Sequence, residues 1–249
     1  MYDFSWHQSH GDLTLSSARF IAPILHSLLE LKSVLDVGCG DGRWLASFNE
    51  CGVPLIVGID GPWTDVAKLQ IESGNFEVKD LSKPFDLQRK FSLAVSLEVA
   101  EHIEPQFAKV FVQNMVRHSD VVLFGAAIPF QGGFRHVNER WQSYWVDLFA
   151  AEGLDTFDLF RSQLWNRTDI SVWYKQNMLL YVRHDRQDLI ARIADYIESN
   201  RIAQLPCDVV HPERYQAIAS YSQIAFKPLL NKLPFATMRK FADVVFRRT

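Results

Sequence analysis

The sequence has little cysteine. Cys39, Cys51 and Cys207 are the three in 249 residues, an odd and sparse count that excludes a disulfide scaffold and suits a reducing cytoplasm. With 12 Gly and 10 Pro there is no collagen-like or low-complexity character, and 48% hydrophobic residues exclude a disordered chain. No apolar run approaches the roughly 18–20 residues that span a bilayer. Met1–His10 holds no Lys or Arg, so a secretory signal is not expected. A net charge of −3 gives no general electrostatic pull toward extended nucleic acid. At roughly 150 residues per domain, one large cytoplasmic domain with additions is expected.

What is present is an alternation. Apolar residues at Leu15, Phe20, Ile21, Ile24, Leu25, Leu28 and Leu29 predict an amphipathic helix over Thr14–Leu31, irregular at Pro23. The run Ser33–Val37 enters Gly38-Cys39-Gly40-Asp41-Gly42 and then the helical pattern Arg43–Glu50, the opening of a parallel α/β unit. Strand-like runs follow at Leu55–Ile59, Phe76–Val78, Leu93–Leu97, Val121–Ala127, Leu154–Phe160 and Val172–Val182. Helical patterns lie at Asp65–Ser73, Gln106–Arg117 and Trp141–Ala151. No long helix separates the last two strands, which predicts an antiparallel pair. Beyond Arg183, Gln187–Ser199 and Arg214–Ala225 read as helices. The expected division is an N-terminal lid or helix (1–32), a catalytic domain (33–183) and a basic helical extension (184–249).

The glycine turn fits two ligand classes. A dinucleotide fingerprint needs glycine at its first, third and sixth positions. Counting from Gly38 the sixth is Arg43, and from Gly40 it is Leu45, so that reading fails. The other pattern, Asp36-x-Gly38-x-Gly40-x-Gly42, resembles motif I of class I S-adenosylmethionine-dependent methyltransferases. The resemblance extends over about residues 33–183, through Gly58-Ile59-Asp60 and Lys79-Asp80-Leu81. It implies an α/β fold with a Rossmann-like, seven-stranded, mostly parallel sheet, a C-terminal antiparallel strand pair, helices on both faces and a helical C-terminal extension. It also implies S-adenosyl-L-methionine as cofactor, with Asp36, Gly38, Cys39 and Gly40 beside the methionine part. Asp60, followed by Gly61, would hold the ribose, Asp80 and Leu81 the base, and Ser96 would complete the set. Asp also ends strands and caps helices, but three acids in this order around a glycine turn favour a binding role.

Ser96-Leu-Glu98-Val-Ala-Glu101-His102 leaves the fourth strand at the edge where ligands bind in such sheets. On a helical turn, Glu98, Glu101 and His102 would share one face. Two carboxylates and an imidazole suit a divalent cation. The run resembles metal-assisted methyltransferases, including small-RNA 3′-end enzymes, with His136 as a fourth ligand. It equally resembles metal-free members in which the His orders the turn, so no metal is assigned.

The loop Ile128–Trp145 contains Gly132-Gly133, Arg135, His136 and Asn138. Methyl transfer to oxygen needs a group that removes the hydroxyl proton, and His is the usual one near neutral pH. His136 and His102 are the candidate bases, with Glu98 beside them and Asn138 or Arg135 orienting the acceptor. Trp141, Tyr144, Trp145 and Phe149 are spaced as a core-packing helix face. The run Arg161–Asn177, with His136-Val-Asn138 and Val209-Val-His211-Pro-Glu213, resembles bacterial methyltransferases of polysaccharide and glycoconjugate assembly. Its Trp and Tyr side chains suit sugar faces, and its Asn and Gln side chains suit sugar hydroxyls. Residues 225–249 carry Lys227, Lys232, Arg239, Lys240, Arg247 and Arg248 against Asp243. That tail suits either packing on the domain or contact with the inner membrane surface or a lipid-linked acceptor. The expected function is O-methylation of a small-molecule, sugar or glycan precursor. The alternatives are a metal-assisted methyltransferase of an RNA 3′ end or another small molecule, and a non-catalytic cofactor-binding assembly protein.

Overall fold

The structure, a computed structural model, describes residues 4–219. Strands β1 (Ser33–Val37), β2 (Leu55–Asp60), β3 (Phe76–Val78), β4 (Leu93–Leu97), β5 (Val121–Gly125), β6 (Leu154–Phe157) and β7 (Leu179–Arg183) form one sheet. Their order is β3-β2-β1-β4-β5-β7-β6. The first five are parallel, and β7 lies antiparallel between β5 and β6, in register at Val121↔Val182 and Leu154↔Arg183. This is the fold expected from the resemblance. The order reverses between β1 and β4, so the crevice for ligands opens at their carboxyl ends.

The strands are continuous apolar runs because both faces are covered. Successive residues point to opposite sides: Val34, Leu93, Val95, Val121 and Leu123 join one core, and Leu35, Ala94, Val122 and Phe124 the other. The first core is closed by α1 (Phe4–Leu29), α2 (Arg43–Glu50) and α7 (Gln187–Ser199), through Ile21, Leu25, Trp44, Phe48, Leu189 and Ile193. The second is closed by α3 (Ala108–His118) and α4 (Gln142–Ala151). Trp145 and Phe149 of α4 pack on Phe124 at 5.0 and 5.2 Å, and Phe149 stacks on Tyr181 at 4.0 Å. They are core residues, as their spacing indicates. Each such burial contributes about 1.5–3 kcal/mol.

Two expectations are corrected. Val172–Val182 is not one strand: Val172–Asn177 forms the helix α6, following α5 (Arg161–Leu164), and only Leu179–Arg183 is extended. The helical turns bury Tyr174, whose hydroxyl accepts from the Trp44 indole at 3.2 Å. Asp65–Ser73 is not a helix but holds the short 3₁₀ turn Val66–Lys68, with a second beginning at Ser73. Neither turn has a buried residue, so no apolar stripe supports a longer helix. Met1–His211 is one compact unit. Arg161 explains how the chain stays with that unit beyond Arg183. Fully buried, it pairs with Asp158 at 3.0 Å and donates to the carbonyls of Pro206 and Cys207 at 3.0 and 2.8 Å. A second unit begins at Pro212, with α8 (Pro212–Ala219) as its described part. The basic stretch 225–249 lies outside the described residues. Among the described residues no helix is long and apolar enough to cross a membrane.

Candidate active site

The turn after β1 is shaped by backbone. Gly38 has φ +84°, and a Cβ there would fall 2.5 Å from both Val99 methyls, so only glycine lets the chain pass. The amides of Gly38 and Cys39 both donate to the Ile59 carbonyl, at 2.8 and 3.2 Å, which ties the turn to the end of β2. Asp60, the last residue of β2, accepts from the Gly40 amide at 2.8 Å and the Gly61 amide at 2.6 Å. A carboxylate has about four acceptor positions, so Asp60 keeps capacity for two further donors. Asp36 is buried in β1, and its carboxyl is pushed up to about 8 by burial, then by the charges of Asp60 and Asp41.

The remaining residues expected around the cofactor are placed less uniformly. The Cys39 thiol is buried against Gly58 and pushed well above its usual range by burial and then by Asp36 and Asp60. Its contribution to the turn is therefore its backbone. Ser96 is fully buried and donates to the Val37 carbonyl at 2.8 Å, joining β4 to β1. Asp80 is exposed beyond β3, accepts from the Ser82 amide and hydroxyl and pairs with Lys83. Those bonds hold its carboxyl below the usual range. Leu81 beside it is buried.

Beyond β4 the crevice is built from side chains. Glu98, at the end of β4, has φ +58°, an unusual conformation for a residue with a side chain. Its oxygens accept from Gln131 Nε2 at 2.6 Å and Asn177 Nδ2 at 2.8 Å. Burial pushes its carboxyl up to about 7, although both amides oppose the shift. Gln176 extends the network, donating to Gln131 Oε1 at 3.2 Å and Asn177 Oδ1 at 3.0 Å and accepting from the His211 amide at 2.9 Å. Tyr174, Gln176 and Asn177 are thus buried, packing or bonding within the protein. That differs from the expected open sugar contacts.

The expected shared face of Glu98, Glu101 and His102 is not formed. A 3₁₀ turn at Ala100–His102 sends Glu98 to the amides and Glu101 beneath the loop that follows β5. Glu101 is buried, its backbone carbonyl accepts from the amides of Val137 and Asn138, and its Oε2 has no hydrogen-bond partner. Burial, then the charge of Glu98, holds its carboxyl well above the usual range. His136 Nε2 lies 4.0 Å from Glu101 Oε1. The rings of His102 and His136 meet edge-to-face at 4.9 Å. Burial, then His136, lowers the His102 pKa, so His102 is neutral near pH 7. Among the described residues, Glu101, His102 and His136 bring one ligand-type atom each to within 4.8 Å of one another. That trio, without Glu98, is the set that could converge on a cation.

The sequence reading did not single out Glu139. Its Oε1 takes His136 Nδ1 at 2.9 Å and the Gly132 amide at 2.7 Å, and its Oε2 takes the Phe130 amide at 2.9 Å. Its position three residues after His136 is the one available signal. Around this clasp Phe130, Phe134, Val137 and Trp141 are exposed.

A glycine turn clasped by an acid follows β1, and a histidine-bearing loop follows β5, both at the carboxyl edge of a Rossmann-like sheet. The family described as Methyltransferase domain matches residues 6–159, more than half of the chain, and the chain belongs to it. Solved structures with this fold include the sugar N-methyltransferase KedS8 of a Streptoalloteichus species, 16% identical with a TM-score of 0.56 over 71% of this chain and 90% of that one. DesVI of Streptomyces venezuelae is 16% identical, TM-score 0.55, over 74% and 99%. CalS10, an amino pentose methyltransferase of Micromonospora echinaspora solved with S-adenosylmethionine bound, is 15% identical, TM-score 0.55, over 74% and 98%. No curated protein matches the chain.

Proposed function

We propose that this methyltransferase transfers a methyl group from S-adenosylmethionine to a hydroxyl of a sugar or glycan precursor, with His136 as general base. The donor side fits the group: Gly40 has open space where a side chain would stand, and Asp60 supplies acceptors beside it, with Asp36 buried in the strand that leads into the turn. Bound there, S-adenosylmethionine supplies a methyl carbon on a positively charged sulfur, which leaves as a neutral thioether.

One observation carries the acceptor side. His136 Nε2 and Glu101 Oε1 stand 4.0 Å apart, so one hydroxyl oxygen fits about 2.8 Å from each. Glu101, whose carboxyl is held above its usual range by burial, hydrogen-bonds that oxygen, and His136 Nε2 accepts the hydroxyl proton as the new bond forms. Holding the oxygen in line with the methyl supplies most of the acceleration. A sugar suits the rim, where Phe130, Phe134 and Trp141 offer exposed apolar faces beside the charges of Arg135 and Arg140. The sugar substrates named for KedS8 and CalS10 agree with this class, and the chain's place would be in polysaccharide or glycoconjugate assembly in the cytoplasm.

The test is transfer of tritiated methyl from S-adenosylmethionine to methyl glycosides, amino sugars and a short RNA, with native protein and His136→Ala. Label on glycoside oxygen, reduced about 100-fold or more in the variant, is expected. Label confined to amino sugar or RNA would replace the acceptor, and an unimpaired variant would remove the base.

A further inference from the structure

The proposed reaction needs His136 to present an unprotonated Nε2. Histidine alone does not guarantee that, because the neutral ring carries its proton on either nitrogen. The geometry points to Glu139 as the positioning residue that fixes this choice, and the inference rests on the reading of His136 as the base. Each ligand of the Glu139 carboxylate is a donor. The Gly132 and Phe130 amides have only hydrogens to offer, at 2.7 and 2.9 Å, and a carboxylate has only lone pairs. The third bond, to His136 Nδ1 at 2.9 Å, therefore requires the ring proton on Nδ1, which leaves Nε2 as the lone-pair nitrogen. Both side chains are largely shielded, His136 at 12% and Glu139 at 19% exposure, so water competes little for the bond.

The same carboxylate ties the base to the loop that carries it. Phe130 and Arg135 lie in the left-handed region at φ +66° and +59°, conformations that persist only where their surroundings hold them. Glu139 holds the Phe130 end directly. Beneath the ring, Gly133 approaches so closely that a Cβ would fall 2.1 Å from His136 Nε2. The ring is thus set from two sides, by a bond at Nδ1 and by backbone at Nε2. Any role that uses the Nε2 lone pair depends on Glu139 in the same way.

Glu139→Gln separates this role from simple loop support. The Gln amide cannot serve all three donors: with its oxygen kept on the Phe130 amide, its NH₂ faces Nδ1 as a donor and favours the opposite tautomer. In the full-length protein labelled with ¹⁵N-histidine, with His136→Ala assigning the signal, the native ring is expected to be protonated on Nδ1. In Glu139→Gln the proton should move to Nε2, while Glu139→Asp keeps the native pattern. With the best acceptor of the glycoside panel, kcat of Glu139→Gln should fall about 100-fold or more, as wrong-tautomer variants of a histidine base do. The acceptor KM should stay within about threefold, since the bond serves the transition state. A native ring protonated on Nε2, or a Glu139→Gln ring that keeps its proton on Nδ1, overturns the inference. A tautomer that moves without loss of kcat upholds the role of Glu139 and sinks His136 as the base.

Discussion

The two halves of the cleft are built from different materials. On the donor side, β1 and β2 end in a turn where backbone does most of the contacting: two amides on Ile59, two on Asp60, and a glycine pressed on Val99. Beyond β4, Glu98 and His136 are held by side chains, Gln131 and Asn177 reaching Glu98 from distant segments and Glu139 reaching His136 within one loop. Contacts of this second kind can be exchanged residue by residue while the sheet stays as it is.

The contrast can be broken from either side. The largest effect is expected from Gly38→Val, which adds atoms into Val99 at a left-handed position. Calorimetric affinity for S-adenosylhomocysteine should fall at least about 100-fold, and retained affinity would mean that the turn is not the donor site. Next is Asp60→Ala, which removes the acceptor for two turn amides and, on the proposed reading, for the ribose. Here a loss of about 10- to 100-fold is expected, in line with hydrogen bonds to a charged group.

Asn177→Leu sharpens the comparison from the other side. It leaves one Glu98 oxygen without its partner, so denaturant unfolding should show about 1–3 kcal/mol less stability, while affinity for S-adenosylhomocysteine stays within about twofold. A large loss of affinity would show that the halves are not separable. The smallest effect is on pH dependence. Asp36 and Glu98 are raised to about 8 and about 7, so between about pH 4 and those values the folded protein binds more protons than the unfolded chain. Stability of the ligand-free protein then falls as pH rises through that window. Asp36→Asn should flatten the decline in melting temperature between pH 5 and 8 by a few degrees; an unchanged slope would contradict the burial of a protonated Asp36.

The same division explains what could be read from the sequence. The donor half was legible because its signals are local: glycines at fixed offsets from Asp36, and acids ending β2 and following β3. The antiparallel pair was legible from connection length, and Trp145 and Phe149 from helical spacing. Asn177 and Gln176 were noticed as polar residues near a strand. Their burial against Glu98 depends on Val172–Asn177 turning helical to cover Trp44, a tertiary choice that the run Trp-Tyr-Lys-Gln-Asn does not announce. Glu139 was overlooked because a charged residue in a loop is ordinarily solvated. Here it gathers three donors that meet only once the loop has closed.

The place of β7 between β5 and β6 has a consequence for synthesis on the ribosome. At roughly 5–20 residues per second, several seconds separate the emergence of Gly125 from that of Leu179. During that interval β6 has no strand to join, the edge of β5 stands open, and Glu98 lacks Asn177. The sheet is therefore incomplete beyond β5 until Leu179–Arg183 has emerged.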